Sequence, residues 1–187
     1  MRNPVRIKNL NRRFLPVFAL AVVGLLAAAP TRGSIAIGLL FAACGLALRS
    51  WGAGHLVKRD ELVTSGPYAH LRHPLYAGTL LISAGFGVAL GPVGWGLLAG
   101  TGAWFAVLYF PAKERRESQL LEARYGLDYV RYRARVPALL PRPRDPAFAP
   151  SPPESWRLAR YSENNELGTL LGVVAVAALI VFRVVGA

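Results

Sequence analysis

The stretch LYAGTLLISAGFGVALGPVGWGLLAGTGAWFAVLYF, residues 75–110, contains no Asp, Glu, Lys or Arg. Gly91 and Pro92 divide it into two apolar runs, residues 75–90 and 93–110, and a Gly-Pro pair of this kind marks a tight turn. An uncharged run of about 18 to 20 residues predicts a helix that crosses the bilayer, and a shorter run reaches into the interface at its ends. The stretch therefore predicts a transmembrane helical hairpin.

Working outward from this hairpin, three more apolar runs predict three more spans, at residues 14–29, 35–48 and 167–185. Pro30 and Gly33 mark the turn between the first two runs. Glycines scattered through the runs allow close helix–helix contact in lipid. The expected fold class is an all-α integral membrane protein with five transmembrane helices, arranged as two hairpins followed by a C-terminal span.

The composition agrees with this class. Apolar residues make up 53% of the 187 residues and charged residues 17%, below the roughly 25% of soluble domains. An ordinary soluble globule and an intrinsically disordered chain are therefore excluded. The single cysteine, Cys44, lies in an apolar run, so we expect neither a disulfide framework nor a thiolate metal cluster.

The net charge of +12 is explained by membrane topology rather than by a nucleic-acid partner, because basic residues collect in cytoplasmic loops. Five basic residues lie in residues 1–13, four in 49–73 and eleven in 111–166, and only Arg32 and Arg183 lie elsewhere. We expect a protein of the inner (cytoplasmic) membrane with a cytoplasmic N-terminus and a C-terminus outside. A cleaved signal peptide is the alternative for the N-terminus, but Pro30 directly after Ala29 disfavours cleavage.

All the acidic residues and histidines lie in the two large segments expected on the cytoplasmic side, so chemistry is expected there. In the first segment, Gly66 and Pro67 predict a turn, and Pro74 predicts the first residue of the third span. His73 would then cap that helix, where backbone N–H groups and the helix dipole favour an anionic ligand group.

The second segment predicts an amphipathic helix on the membrane surface, with Gly126 interrupting or ending its first half. Apolar and aromatic side chains recur there at three- and four-residue intervals: Leu120, Leu121, Tyr125, Tyr129 and Tyr132. Glu117 lies four residues after Lys113 and one turn before Leu121, so it shares a face with residues that turn inward. A plain surface ion pair between Lys113 and Glu117 is the alternative.

Together the two segments resemble the isoprenylcysteine carboxyl methyltransferase family and its relatives among the phospholipid methyltransferases. The resemblance is carried by Leu62-Val63…Gly66-Pro67-Tyr68…Arg72-His73-Pro74-Leu75-Tyr76-Ala77-Gly78 and by Glu117…Leu120…Tyr125-Gly126…Tyr129…Tyr132…Val136-Pro137. We expect the chain to form a single membrane domain with three parts, because no separate soluble domain fits between the apolar runs. These are an N-terminal hairpin at residues 1–48, a methyltransferase-like core at 49–141, and a proline-rich linker with the final span at 142–187.

The resemblance implies an S-adenosyl-L-methionine-dependent methyltransferase with a cofactor pocket at the cytoplasmic face and a lipid-like acceptor that enters from the bilayer. It implies cofactor contacts for residues of both segments: Leu62, Val63, Tyr68, His73, Pro74, Leu75, Tyr76 and Glu117. Lys113 falls where the eukaryotic prenylcysteine enzymes place a substrate-binding Arg. Lys113 keeps the charge but lacks the bidentate fork that suits a carboxylate. No metal ligand is implied.

The expected acceptor is a carboxylate, which needs no general base. An amine would have to lose a proton, and the candidates for that base are His55, His70 and His73. Two alternatives stay open, a phospholipid N-methyltransferase and a non-catalytic protein whose Arg-rich segments bind anionic lipid. Glu163 and Glu166 are expected to cap or flank the final span, with contact to the acceptor as the alternative.

Overall fold

The computed structural model describes residues 27–57, 62–145 and 155–185, and the regular secondary structure in these ranges is helical. The helices are α1 (Arg32–His55), α2 (Pro74–Ala89), α3 (Pro92–Trp104), α4 (Phe110–Tyr125), α5 (Leu127–Arg135), α6 (Leu158–Glu163) and α7 (Glu166–Val185). A short 3-10 helix, Gly66–Ala69, precedes α2. A π-helical turn, Phe105–Tyr109, joins α3 to α4 without a break.

Three helices in the described ranges are long and apolar enough to cross a membrane: Arg32–His55, the continuous helix Pro92–Tyr125, and Glu166–Val184. The fourth apolar helix, α2, has 16 residues and so extends about 24 Å. These findings confirm an all-helical membrane protein. The first expected span, residues 14–29, lies almost entirely outside the described residues, and the count of five spans stays a prediction.

Helices α1 and α2 pack closely because glycines of one meet glycines of the other. Gly38 faces the Gly85 carbonyl oxygen, and a Cβ atom added at Gly45 would lie 2.6 Å from the Gly78 carbonyl oxygen. Only hydrogen side chains at these positions allow the two backbones to approach so far. The seven-residue spacing in each helix repeats the contact about every two turns.

The local sequence explains the helix boundaries near the polar segments. Helix α2 begins at Pro74, which needs no N–H partner at the first helical position, and His73 is its N-cap residue. Helix α4 ends where Gly126 takes a φ of +54°, a conformation that glycine adopts without strain. Both boundaries confirm the predictions made from sequence.

Helix α5 packs on α4 through buried aromatic residues. Tyr129, Tyr132 and Val136 form a buried cluster, and Leu62, Leu121 and Tyr125 pack against it. Leu120 is 63% exposed, so the expectation that Leu120 belongs to the same face as Leu121 is wrong. The reason is geometric, because neighbouring residues on an α-helix point roughly 100° apart.

The C-terminal segment covers the end of α1. The Asn164 side-chain amide donates to the carbonyl oxygens of Ala53 (2.9 Å) and Leu56 (3.2 Å), and the Arg157 N–H donates to that of Gly54 (3.1 Å). The last carbonyl groups of a helix lack intrahelical partners, so these donors satisfy groups that the helix itself cannot. The segment therefore fastens the last helix to α1.

A buried ion pair completes this attachment. Arg49 of α1 donates from Nε and Nη2 to the two carboxylate oxygens of Glu166, the first residue of α7, at 2.9 and 2.6 Å. Its Nη1 donates to the Leu75 carbonyl (3.0 Å) and to the Thr79 hydroxyl (2.5 Å) of α2. We call Arg49, Leu75, Thr79 and Glu166 the Arg49 clamp. The clamp joins three helices through one guanidinium group.

Candidate functional site

The chain leading into α2 lies against the chain leaving α5. The Arg72 N–H donates to the Pro137 carbonyl (2.8 Å), and the His73 N–H donates to the Ala138 carbonyl (3.0 Å). The Arg72 side chain adds a third bond, from Nε to the Val136 carbonyl (3.0 Å). These bonds fix the two residues before α2 relative to α4 and α5.

His73 lies between two carboxylates of α4. Its Nε2 contacts Glu114 Oε2, and its Nδ1 is 3.6 Å from Glu117 Oε2. Glu114 and Glu117 are three positions apart, so they project from the same face of the helix. The His73 side chain is 10% exposed and that of Glu117 is 31% exposed. The site is thus shielded at the imidazole and open at Glu117.

Glu117 has two further partners. The Tyr76 hydroxyl donates to its Oε1 (3.2 Å), and Lys113 Nζ lies 3.3 Å from the same oxygen. We call His73, Tyr76, Lys113, Glu114 and Glu117 the His73–Glu117 site. The structure therefore brings together His73, Tyr76, Lys113 and Glu117, four of the residues singled out from sequence.

Glu114 belongs to this site but was not singled out from sequence. It accepts hydrogen bonds at Oε1 from Arg72 Nη1 (2.5 Å) and from the Ser118 hydroxyl (3.3 Å), while Oε2 contacts His73. Ser118 is also hydrogen-bonded to the Tyr129 hydroxyl (2.8 Å). The available signal was the spacing of two acids one helical turn apart, at 114 and 117.

An aromatic wall borders the site. The Phe110 ring meets the His73 ring edge-on at 5.5 Å, and the Tyr76 ring is 6.1 to 6.4 Å from Phe105, Tyr109 and Phe110. The π-helical turn carries Phe105 and Tyr109, and such turns often occur at functional sites. Aromatic faces attract cations, so carboxylates beside this wall suit a positively charged group.

Other residues expected to contact a cofactor lie in neighbouring clusters. Leu62 packs against the buried cluster of Tyr129, Tyr132 and Val136, and the Tyr132 hydroxyl donates to the Tyr68 carbonyl (2.8 Å). Val63 is partly buried in the same loop. Burial, reinforced by the nearby Glu166 charge, raises the pKa of the Tyr68 hydroxyl well above its usual value. Burial likewise raises the pKa of Tyr132, so both hydroxyls are neutral at physiological pH.

Pro74 and Leu75 lie on the side of α2 that faces α1 rather than α4. Both contact the position of Gly52, and the Leu75 carbonyl belongs to the Arg49 clamp. The structure therefore places Pro74 and Leu75 against α1, and their contact with a cofactor stays a prediction.

The other two histidines are engaged elsewhere. His55 Nδ1 donates to the Trp51 carbonyl (2.8 Å), and the His55 ring packs against Gly66. His70 Nδ1 donates to the Arg142 carbonyl (3.0 Å). Across residues 27–57, 62–145 and 155–185, no group of three or more His, Cys, Asp or Glu side chains is arranged to hold a metal ion.

The fold and the site together define a helical membrane protein with a histidine–carboxylate site at one end of its helices. Residues 40–128 of this protein match the family model for phospholipid methyltransferase, and this segment contains every residue of the His73–Glu117 site. The resemblance to the isoprenylcysteine methyltransferase and phospholipid methyltransferase-like family is therefore confirmed over this segment.

Three curated proteins are similar to this chain in sequence. Cobalt-zinc-cadmium resistance protein CzcN of Cupriavidus metallidurans is 34% identical over 110 residues, which are 58% of this chain and 49% of that protein. Nickel-cobalt-cadmium resistance protein NccN of Alcaligenes xylosoxydans xylosoxydans is 33% identical over 110 residues, 58% of this chain and 50% of that protein. Protein-S-isoprenylcysteine O-methyltransferase B of Arabidopsis thaliana is 36% identical over 96 residues, 46% of this chain and 45% of that protein.

The chain thus spans about half the length of the curated relatives it matches. No solved structure matches the chain.

Proposed function

We propose that the protein is an S-adenosyl-L-methionine-dependent methyltransferase that acts on a lipid-like acceptor in the membrane. The observation that carries the proposal is the contact between His73 and Glu117, in which His73 Nδ1 lies 3.6 Å from the Glu117 carboxylate. In sequence, the two residues are separated by α2 and α3. The cofactor binds between the segment around residues 62–76 and the helix turn that begins at Lys113.

The donor set fits this cofactor. When bound, the cofactor supplies a methyl group from a positively charged sulfonium. Glu117 is an acceptor-only carboxylate when ionised, which suits an ammonium group or ribose hydroxyls, and the Tyr76 and Phe110 rings suit a cation. Methyl transfer is an in-line displacement that needs no protein nucleophile. The residues of the site therefore contribute alignment and exclusion of water.

The first candidate acceptor is a carboxylate on a lipid-like molecule. Lys113 supports it, because its side chain is 41% exposed and its ammonium group lies beside Glu117, at the open edge of the site. A phospholipid amine is the second candidate, favoured by the phospholipid methyltransferase family model. Incubating membranes with radiolabelled cofactor, followed by mass spectrometry of the labelled lipid, distinguishes a methyl ester from an N-methylated headgroup.

We also propose that the site faces the cytoplasm from the inner membrane, with the N-terminus on the same side. Helix α2 and the continuous helix Pro92–Tyr125 form a hairpin that would cross the membrane and return. The start of α2 and the polar end of the continuous helix would then lie on the same side of the membrane. The basic residues of this end, such as Arg115, Arg116 and Arg124, support a cytoplasmic position.

Calorimetry on the purified protein in detergent tests the cofactor site. We expect His73→Ala and Glu117→Ala each to weaken S-adenosyl-L-methionine binding by roughly 10- to 100-fold, the size of a lost hydrogen bond to a charged group. Glu122→Ala is the matched control, because it removes an exposed acid of the same helix. Unchanged affinity in both site variants would refute the assignment.

A further inference from the structure

The two oxygens of Glu114 have different partners. Oε1 accepts from Arg72 Nη1 and from the Ser118 hydroxyl, and Oε2 contacts His73 Nε2. The Arg72 and His73 side chains are 10% exposed and that of Glu114 is 14% exposed, so little water competes for these bonds. Rotation of the carboxylate would break all three contacts at once.

When the His73 ring is neutral and carries one proton, this arrangement dictates which nitrogen holds that proton. Arg72 is always charged and holds Glu114 as an anion, and an ionised carboxylate can only accept. His73 Nε2 must therefore donate to Glu114. On the opposite edge of the ring, Nδ1 is 3.6 Å from Glu117, which is longer than a hydrogen bond. Nδ1 can therefore form a hydrogen bond with a ligand.

We propose that Glu114 is a positioning residue that fixes the Nε2–H tautomer of the neutral His73 ring and leaves the Nδ1 lone pair directed at the site. This inference rests on the proposed function and deepens it. Nδ1 is then the atom that accepts a hydrogen bond, or a proton, from a bound cofactor or acceptor. Phe110, edge-on to the ring, and the bond from the His73 N–H to Ala138 hold the ring in this orientation.

The variant Glu114→Gln makes the proposal testable, because the two ends of the side chain become chemically different. Arg72 and Ser118 both donate, so they take the amide oxygen and leave the amide NH2 group facing His73. Two donors cannot bond to each other, so the ring must present a lone pair at Nε2 and carry its proton on Nδ1. The tautomer is expected to invert.

Nitrogen NMR on protein with 15N-labelled histidine reads the tautomer directly, at a pH where the imidazole is neutral. The chain has three histidines, so loss of one signal set in His73→Gln assigns His73. We expect Nε2–H in the wild type, Nδ1–H in Glu114→Gln, and Nε2–H again in Glu114→Asp, which keeps an acceptor. Unshifted His55 and His70 signals verify that each variant is folded.

The same neutral tautomer in wild type and Glu114→Gln would overturn the proposal. Calorimetry separates this outcome from failure of the proposed function. If the tautomer inverts, S-adenosyl-L-methionine should bind roughly tenfold more weakly to Glu114→Gln, with a smaller loss in Glu114→Asp. Inversion in a protein that binds no cofactor would support the positioning role and reject the proposed function. Weaker binding without inversion would reject the positioning role alone.

Discussion

The His73–Glu117 site and the Arg49 clamp are two charged clusters on different faces of the first turns of α2. In the clamp, Glu166 is 3% exposed and both of its oxygens are bonded to Arg49. In the site, Glu117 is 31% exposed and Lys113 is 41% exposed. Charged groups at the ends of these apolar helices therefore differ in what they can do. A saturated, buried pair holds helices together, whereas a pair with an open edge is available to bind a ligand.

The largest effect is expected from a substitution that removes the ion pair of the Arg49 clamp. Arg49→Met leaves Glu166 buried without its partner, and the loss of one member of a buried pair costs about 3 to 5 kcal/mol. Thermal unfolding in detergent should show this destabilisation, with part of it recovered in the double variant Arg49→Met, Glu166→Leu. If Arg49→Met is as stable as the wild type, the clamp does not hold the helices together. The proposed difference between a structural cluster and a ligand-binding cluster would then be wrong.

A smaller effect is expected from crowding the clamp instead of removing it. A Cβ atom added in Gly78→Ala would lie 2.5 Å from Arg49 Cγ and 2.7 Å from the Gly45 carbonyl oxygen. Overpacking of this kind costs about 1 to 3 kcal/mol. The control is Gly96→Ala, because a Cβ atom there meets nothing within 4 Å. Equal melting temperatures for the two variants would contradict the close packing of α1 and α2.

The smallest expected effect concerns a buried contact without charge. Tyr132→Phe removes the bond to the Tyr68 carbonyl and should cost about 1 kcal/mol at neutral pH. Burial raises the pKa of the Tyr132 hydroxyl in the folded state. The neutral hydroxyl therefore contributes fully to the free energy of unfolding below the ordinary tyrosine pKa of 10.0, and this contribution is lost progressively as the pH rises above 10.0. Denaturant unfolding of the wild type and of Tyr132→Phe should show that their difference in free energy of unfolding is smaller at alkaline pH than at neutral pH. A difference that grows with pH would contradict this account.

Much of the fold follows from local sequence. The uncharged runs predict the apolar helices, Pro74 predicts the start of α2, and Gly126 predicts the end of α4, since proline and glycine have strong local preferences. The meeting of His73 with Glu117 was expected from the family resemblance. Local preferences are sufficient for these helices and boundaries because each depends on a few neighbouring residues.

The remaining features depend on contacts between residues distant in sequence or on the direction of side chains. The Arg49–Glu166 pair joins residues 117 positions apart, and neither residue has a local signal that names the other. Pro74 and Leu75 adjoin His73 in the motif, yet they face α1, because successive residues around a helix point in different directions. Glu114 was within reach of sequence reasoning, since its spacing from Glu117 places both acids on one face.

The most direct test of the central claim, that two distant segments form one binding site, is a double-mutant cycle on S-adenosyl-L-methionine affinity with His73→Ala, Glu117→Ala and the combined variant. Residues in one site are expected to be coupled by at least about 0.5 kcal/mol, so the combined variant should lose less affinity than the two single losses together. Strictly additive losses, or no loss in the single variants, would contradict the account.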